Sequence, residues 1–113
     1  MKISEDHFQI QTAKLLDLLK LDWFHTPNGG KRNLSTAAKM KRMGVKAGIP
    51  DIIIINKTLT NNTGICIELK IGRNKTTINQ EMWRSKFVKN DWLYFIAYSI
   101  DDIISITSKY YGK

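Results

Sequence analysis

Cysteine is nearly absent from this chain: among 113 residues only Cys66 carries a thiol. A single thiol excludes an internal disulfide and any zinc site built on several cysteines. Long apolar runs are missing as well, and none approaches the roughly 20 residues that a membrane-spanning helix needs. The chain opens Met1-Lys2-Ile3 and turns polar at once with Ser4-Glu5-Asp6, unlike a signal peptide. A soluble, cytoplasmic protein without a membrane partner is therefore expected. Internal repeats, low-complexity tracts and domain-breaking linkers are also lacking. The length and apolar content suit one domain over residues 1–113 with a single core.

Acid is scarce in two particular stretches. Lys and Arg number 18 against 10 Asp and Glu, a formal charge of +8. Residues 27–50 contain Lys31, Arg32, Lys39, Lys41, Arg42 and Lys46 but no acid. Residues 69–80 contain Lys70, Arg73 and Lys75, again without an acid. A basic balance of this kind suits a polyanionic partner. The plain alternative is a solvated face that only keeps the protein soluble. Position favours phosphate contact, because the two stretches flank the pair of acids, Asp51 and Glu68, on which the rest of the reading turns.

Asp51 is followed by Ile52-Ile53-Ile54-Ile55, and Gly64-Ile65-Cys66-Ile67 leads into Glu68-Leu69-Lys70. The polar segment from Asn56 to Thr63 separates the two apolar runs. Such a pattern reads as an antiparallel hairpin. Folded about Leu59 and Thr60, it brings Asp51 across from Glu68. Side chains alternate along a strand, so Glu68 and Lys70 share one face with Cys66, while Ile67 and Leu69 share the other. Cys66 is there a small packing residue rather than a nucleophile. Unpaired charge is costly to bury. A divalent cation between the carboxylates, with a lysine beside it, is one way to compensate. A Glu68–Lys70 salt bridge is the structural alternative.

Around this hairpin the elements alternate. Ser4 can cap a first helix with the apolar stripe Phe8, Leu15, Leu16 and Leu19, ending near Lys20 to Asp22. Glu5, Phe8, Gln9 and Thr12 share one face of it. Trp23 to Thr26 is a short strand closed by the turn signal Pro27-Asn28-Gly29-Gly30. Asn33 to Met43 fits either a helix or a basic loop. Thr77-Ile78-Asn79-Gln80 has capping-box spacing and opens a helix to about Asn90. Trp92 to Ala97 is an apolar strand, and Ser99 caps a last helix over Ile100 to Ser108.

Pro50-Asp51 followed by Glu68-Leu69-Lys70 resembles the signature of the PD-(D/E)XK nuclease superfamily. The ordered set around it is more specific: Glu5 and Gln9, then Asn28-Gly29-Gly30-Lys31-Arg32, then Gly48-Ile49-Pro50-Asp51, then Gln80. From about Glu5 to Tyr111 the chain resembles a stand-alone VRR-NUC domain, the virus-type replication-repair nuclease, of phage or bacterial type. The resemblance implies an α/β fold in the order α-β-(α)-β-β-α-β-α, a mixed central sheet flanked by helices. It implies a Mg²⁺- or Mn²⁺-dependent endonuclease that cleaves DNA, selectively at branched structures such as four-way junctions, as a homodimer in a bacterial or phage-infected cell. A non-catalytic or partner-dependent nucleic-acid-binding module is the alternative. The implied metal ligands are Asp51, Glu68, Glu5 and the backbone carbonyl of Leu69, with Lys70 and Gln80 completing the catalytic set. Gln80 is also the reciprocal member of the Thr77 capping box, and one amide is not expected to fill both roles. Candidate nucleic-acid contacts are Asn28, Gly29, Lys31, Arg32, Lys39, Lys41, Arg42, Lys46, Arg73 and Lys75. Gly48 is expected only to ease entry to the strand.

If the basic run is a phosphate-binding face, neutralising Lys39, Lys41 and Arg42 together weakens DNA affinity for every sequence. Each lost contact should reduce the slope of log affinity against log salt by roughly 0.9 on duplex DNA. A salt titration of binding by fluorescence anisotropy checks this. An unchanged slope would make the run a solvated surface.

Overall fold

The computed structural model describes residues 4–27 and 34–113. The first helix, α1, spans Glu5–Leu18, and the Ser4 hydroxyl accepts the His7 N–H at 3.1 Å as its N-cap. Phe8, Thr12 and Leu16, four residues apart, form its buried stripe. The Thr12 hydroxyl can lie in the core because it donates to the Phe8 carbonyl at 2.9 Å. The helix stops two residues before the expected Lys20, and a Schellman motif explains why. Lys20 takes a left-handed φ of 59°, its N–H bonds Asp17 O, and the Leu21 N–H bonds Leu16 O. Leu16 and Leu21 both enter the core, which adds the hydrophobic contact typical of that motif.

Strands β1 (Trp23–His25), β2 (Ile52–Ile54), β3 (Ile65–Leu69) and β4 (Leu93–Ala97) form one sheet in that order. β1, β2 and β3 are successively antiparallel, and β4 joins β3 in parallel. The ambiguous basic segment is a helix, α2 (Leu34–Arg42). Helix α3 spans Ile78–Lys89 behind the Thr77 cap, and α4 spans Ile100–Tyr111 behind the Ser99 cap. α4 runs three residues beyond the expected Ser108 and stops where Gly112 adopts a φ of 67°. Among the described residues no helix is long and apolar enough to cross a membrane.

The sheet has two unequal covers. Ile52, Ile54, Ile65, Ile67, Leu69 and Ala97 pack with Phe8 and Leu16 of α1 and Ile103 and Ile106 of α4. On the other face Ile53, Cys66 and Tyr94 meet Phe87 of α3 and Trp92. β3 is buried at all five positions, four of them apolar and the fifth Glu68. Burial pushes the Cys66 thiol up to about 12, as suits a packing residue rather than a nucleophile.

The hairpin loop between β2 and β3 is tied down at both ends. Leu59 N–H bonds the Tyr110 carbonyl at 2.8 Å, and Asn61 reverses the chain with a φ of 68°. Gly64 sits against its neighbours so closely that a Cβ would lie 2.4 Å from Ile54 O and 2.6 Å from the Trp92 ring. Gly64→Ala must therefore push β2 and Trp92 apart. A loss of about 1–3 kcal/mol is expected, the usual range for overpacking. Urea unfolding followed by circular dichroism measures it; a variant as stable as the parent would mean that the contact relaxes freely.

Candidate functional site

The pairing Ile52↔Ile67 carries the ladder one step further, to Asp51 opposite Glu68. This is the juxtaposition expected from folding the hairpin about Leu59 and Thr60. Asp51 Oδ2 accepts the Leu69 N–H at 2.7 Å, so the carboxylate caps the end of β3. Glu68 lies on the α3 side of the sheet and is only 3% exposed. Its Oε1 accepts Gln80 Nε2–H at 3.0 Å, and its Oε2 accepts the Tyr94 hydroxyl at 3.3 Å. Burial, and then the neighbouring Asp51 charge, push the Glu68 carboxyl up to about 8. Lys70 and the Tyr94 hydrogen bond work in the opposite direction without offsetting the rise. Tyr94 is itself pushed up, first by burial and then by the Glu68 charge.

Gln80 corrects one expectation. Its Oε1 accepts the Thr77 N–H at 2.8 Å, closing the capping box, while its Nε2 donates to Glu68. An amide has an acceptor at one end and donors at the other, so one side chain fills both roles. The start of α3 is held close enough for this by Gly48. With φ +82°, Gly48 lies so near the helix that a Cβ would stand 2.5 Å from Asn79 Cβ and 2.8 Å from Gln80 N. Gly48 thus admits α3 to the site instead of merely easing strand entry. Trp83 fastens the same junction by donating Nε1–H to the Ala47 carbonyl at 3.1 Å.

The two carboxylates open into a cleft of about 750 Å³. Glu5, Gln9, Leu69, Lys70 and Gln80, all singled out in the sequence, line it. Glu5 lines the cleft with Asp51 and Glu68 without forming a close three-acid group with them. Among the described residues no three His, Cys, Asp or Glu side chains stand close enough together to hold a metal ion. Glu5 is also an exposed first-turn acid of α1, where the positive helix end favours it. Lys41 and Lys46 line an adjoining hollow, whereas Lys39 and Arg42 are exposed on α2. Arg73 and Lys75 are exposed on the segment between β3 and α3 and line neither space. Asn28, Gly29, Lys31 and Arg32 lie outside the described residues.

Tyr94, His25, Asp6, Thr77 and Asn79 were not readable as site residues. His25 Nδ1 is 2.8 Å from the Asp51 carbonyl, which ties β1 to the acidic pair. The signal for Tyr94 was the alternation of β4: it pairs with Cys66 in parallel and therefore shares the Glu68 face. Neither Asp51 nor Glu68 forms an ion pair with a described Lys or Arg. Two facing carboxylates, one deeply buried and without a cationic partner, form a donor set that fits a small hard cation completed by water and substrate oxygens.

The raised Glu68 carboxyl has a consequence for stability. Between about pH 4.5 and 8 the folded, metal-free protein retains a proton there that the unfolded chain has released. Stability is therefore fully present below that window and falls as pH rises through it. In Glu68→Gln the new amide can accept from Gln80 and donate to the Tyr94 oxygen, so this pH dependence should flatten. Urea midpoints at pH 5 and pH 8 in EDTA measure it. Equal slopes in parent and variant would show that Glu68 is not the group responsible.

A scan of protein-family models and a search of curated proteins return no match. A search of solved structures does: the fold superposes on a "VRR_NUC domain protein" with a TM-score of 0.79 at 30% sequence identity, covering 99% of this chain and 91% of the other. Identity at that level over nearly the full length of both chains extends beyond a shared fold. The order of elements and the mixed sheet agree with the nuclease-like architecture that the Pro50-Asp51 and Glu68-Leu69-Lys70 pattern implies. The chain belongs to the VRR-NUC family and is a nuclease-type domain.

Proposed function

We propose that the protein is a Mg²⁺- or Mn²⁺-dependent endonuclease that hydrolyses phosphodiester bonds in DNA. The observation that supports this best is the buried Glu68 carboxylate facing Asp51, with no cationic side chain among the described residues paired to either. In this reading Asp51 and Glu68 hold the cation, with the Leu69 carbonyl available beside them. A bound cation supplies positive charge at the scissile phosphate and a water of lowered pKa. Gln80 and Tyr94 fix the Glu68 carboxylate through one oxygen each and so set its direction. Lys70, half-buried at the cleft, orients the attacking water or stabilises charge that develops on the phosphate. Glu5 and Gln9 on the α1 wall contact the substrate side of the cleft. The acid-free basic stretches hold the DNA backbone. Branched DNA cleaved by a homodimer is the favoured subclass, since nicks on opposing strands require two active sites.

Cleavage of linear, flap and four-way-junction DNA, each with Mg²⁺, Mn²⁺ or EDTA, tests the reading. Asp51→Asn and Glu68→Gln should each abolish cleavage with the fold retained. Lys70→Ala should keep DNA binding yet lower the single-turnover rate about 100-fold or more, the scale of a lost transition-state donor. Lys70→Arg should be almost as impaired, because a planar fork cannot replace a compact ammonium at a tight site. Near-parental rates in Asp51→Asn or Glu68→Gln would move the chemistry elsewhere.

A further inference from the structure

Asp51 stands one residue before β2 begins, where the strand ladder no longer fixes the main chain by itself. Groups from the end of β1 hold it there. The Thr26 N–H donates to the Asp51 carbonyl at 2.9 Å, and the Thr26 hydroxyl donates to the Pro50 carbonyl. His25 Nδ1 reaches the same Asp51 carbonyl at 2.8 Å. A carbonyl oxygen only accepts, so the hydrogen sits on Nδ1 and the tautomer of the neutral ring is fixed. Register places His25 opposite Ile52, on the α1 side of the sheet, whereas Glu68 lies on the α3 side. The ring therefore meets Asp51 at the main chain and lines the cleft from the α1 wall.

The second donor is not needed to satisfy this carbonyl, because Thr26 already does so. Nor does it protect the core. His25 is exposed on the edge strand of the sheet, where one hydrogen bond adds little to global stability. Its effect falls on the direction of Asp51. The Asp51 carboxylate is engaged by the Leu69 N–H at 2.7 Å, so β1 grips the residue by its carbonyl and β3 grips it by its side chain. A shift at the first point turns the carboxylate at the second. We propose that His25 is a positioning residue of the nuclease, fixing the Asp51 main chain through Nδ1–H and thereby aiming the Asp51 carboxylate at the cation site. The inference rests on the nuclease reading and adds a residue to its machinery. Losing a partner that orients a metal-binding side chain typically costs roughly 10–100-fold in metal affinity or activity.

Asparagine and glutamine at position 25 separate the two ring nitrogens. Asparagine carries its amide N–H near the Nδ1 position and can still donate to the Asp51 carbonyl. Glutamine carries its amide nearer the Nε2 position. Both are polar at an exposed site, so neither places a fault in the core. Mn²⁺ binding without DNA is measured by electron paramagnetic resonance of the free ion. Exchange of the Leu69 amide hydrogen is followed by NMR in EDTA, and urea midpoints in EDTA report stability. His25→Gln should weaken Mn²⁺ binding about tenfold and speed Leu69 exchange, with the urea midpoint unchanged. His25→Asn should match the parent in all three. Parental Mn²⁺ binding and Leu69 exchange in His25→Gln overturn the inference, while the nuclease reading stands on Asp51→Asn and Glu68→Gln. Equal loss in both variants overturns it too, because the Nδ1 bond is then not the cause. A fall in urea midpoint that accounts for the faster exchange makes His25 structural and has the same result. A parent that neither binds Mn²⁺ nor cleaves DNA in it overturns both readings.

Discussion

Everything at this site depends on holding one carboxylate where carboxylates are rarely found, in the interior of a hydrophobic strand. Glu68 belongs to β3, whose five residues are all buried. Removing a charged group from water is expensive unless hydrogen bonds or an opposite charge replace the solvent. The fold provides hydrogen bonds from Gln80 and Tyr94 but, among the described residues, no ion pair. Asp51 then adds a like charge instead of relieving one. A strand selected for stability alone would carry an apolar residue at position 68. The tension left in the pair is the physical content of the family assignment, because it is the feature a divalent cation would relieve.

Local structure and site chemistry are coupled through the first turn of α3. The capping box that starts this helix also orients the Gln80 amide that reaches Glu68. Gly48 lets the helix approach, and Trp83 bonds the same loop one turn further along. Helix start, loop and strand end therefore move together. Any change that loosens the junction alters the direction of the Glu68 carboxylate before it alters the core. Tyr94 works from the opposite side, across the parallel pairing of β3 and β4, so the carboxylate is gripped by two elements distant in sequence.

The legible parts of this site were those fixed by local geometry. The facing of Asp51 and Glu68 follows from a symmetric hairpin turned about Leu59 and Thr60, which sets Ile52 opposite Ile67 and so continues to Asp51 opposite Glu68. Helix starts at Ser4, Thr77 and Ser99 were legible because each cap is a short-range hydrogen bond. Tyr94 was not legible, because its place depends on which strand β4 joins and in what direction, and alternation alone leaves that open. Gln80 was read as having to choose between cap and site, although its two amide ends point different ways. Glu5 shows the converse limit: helix phase puts it on the wall of the cleft, but phase cannot say whether α1 comes near enough to share an ion.

The distribution of charge gives the two hollows a common logic. Stretches without acid form α2, the loop after it and the approach to α3, so positive groups surround a centre that is itself negative. Among the described residues these lysines and arginines do not neutralise Asp51 or Glu68 by pairing with them. A chain optimised to satisfy its own charges would bring the two signs together. Here they are held apart at neighbouring positions, which leaves the acids free for a cation and the bases free for a polyanion. That separation is hard to account for by solubility alone. It is the arrangement that the proposed function would use, with a cation satisfying the acids and a polyanion satisfying the lysines.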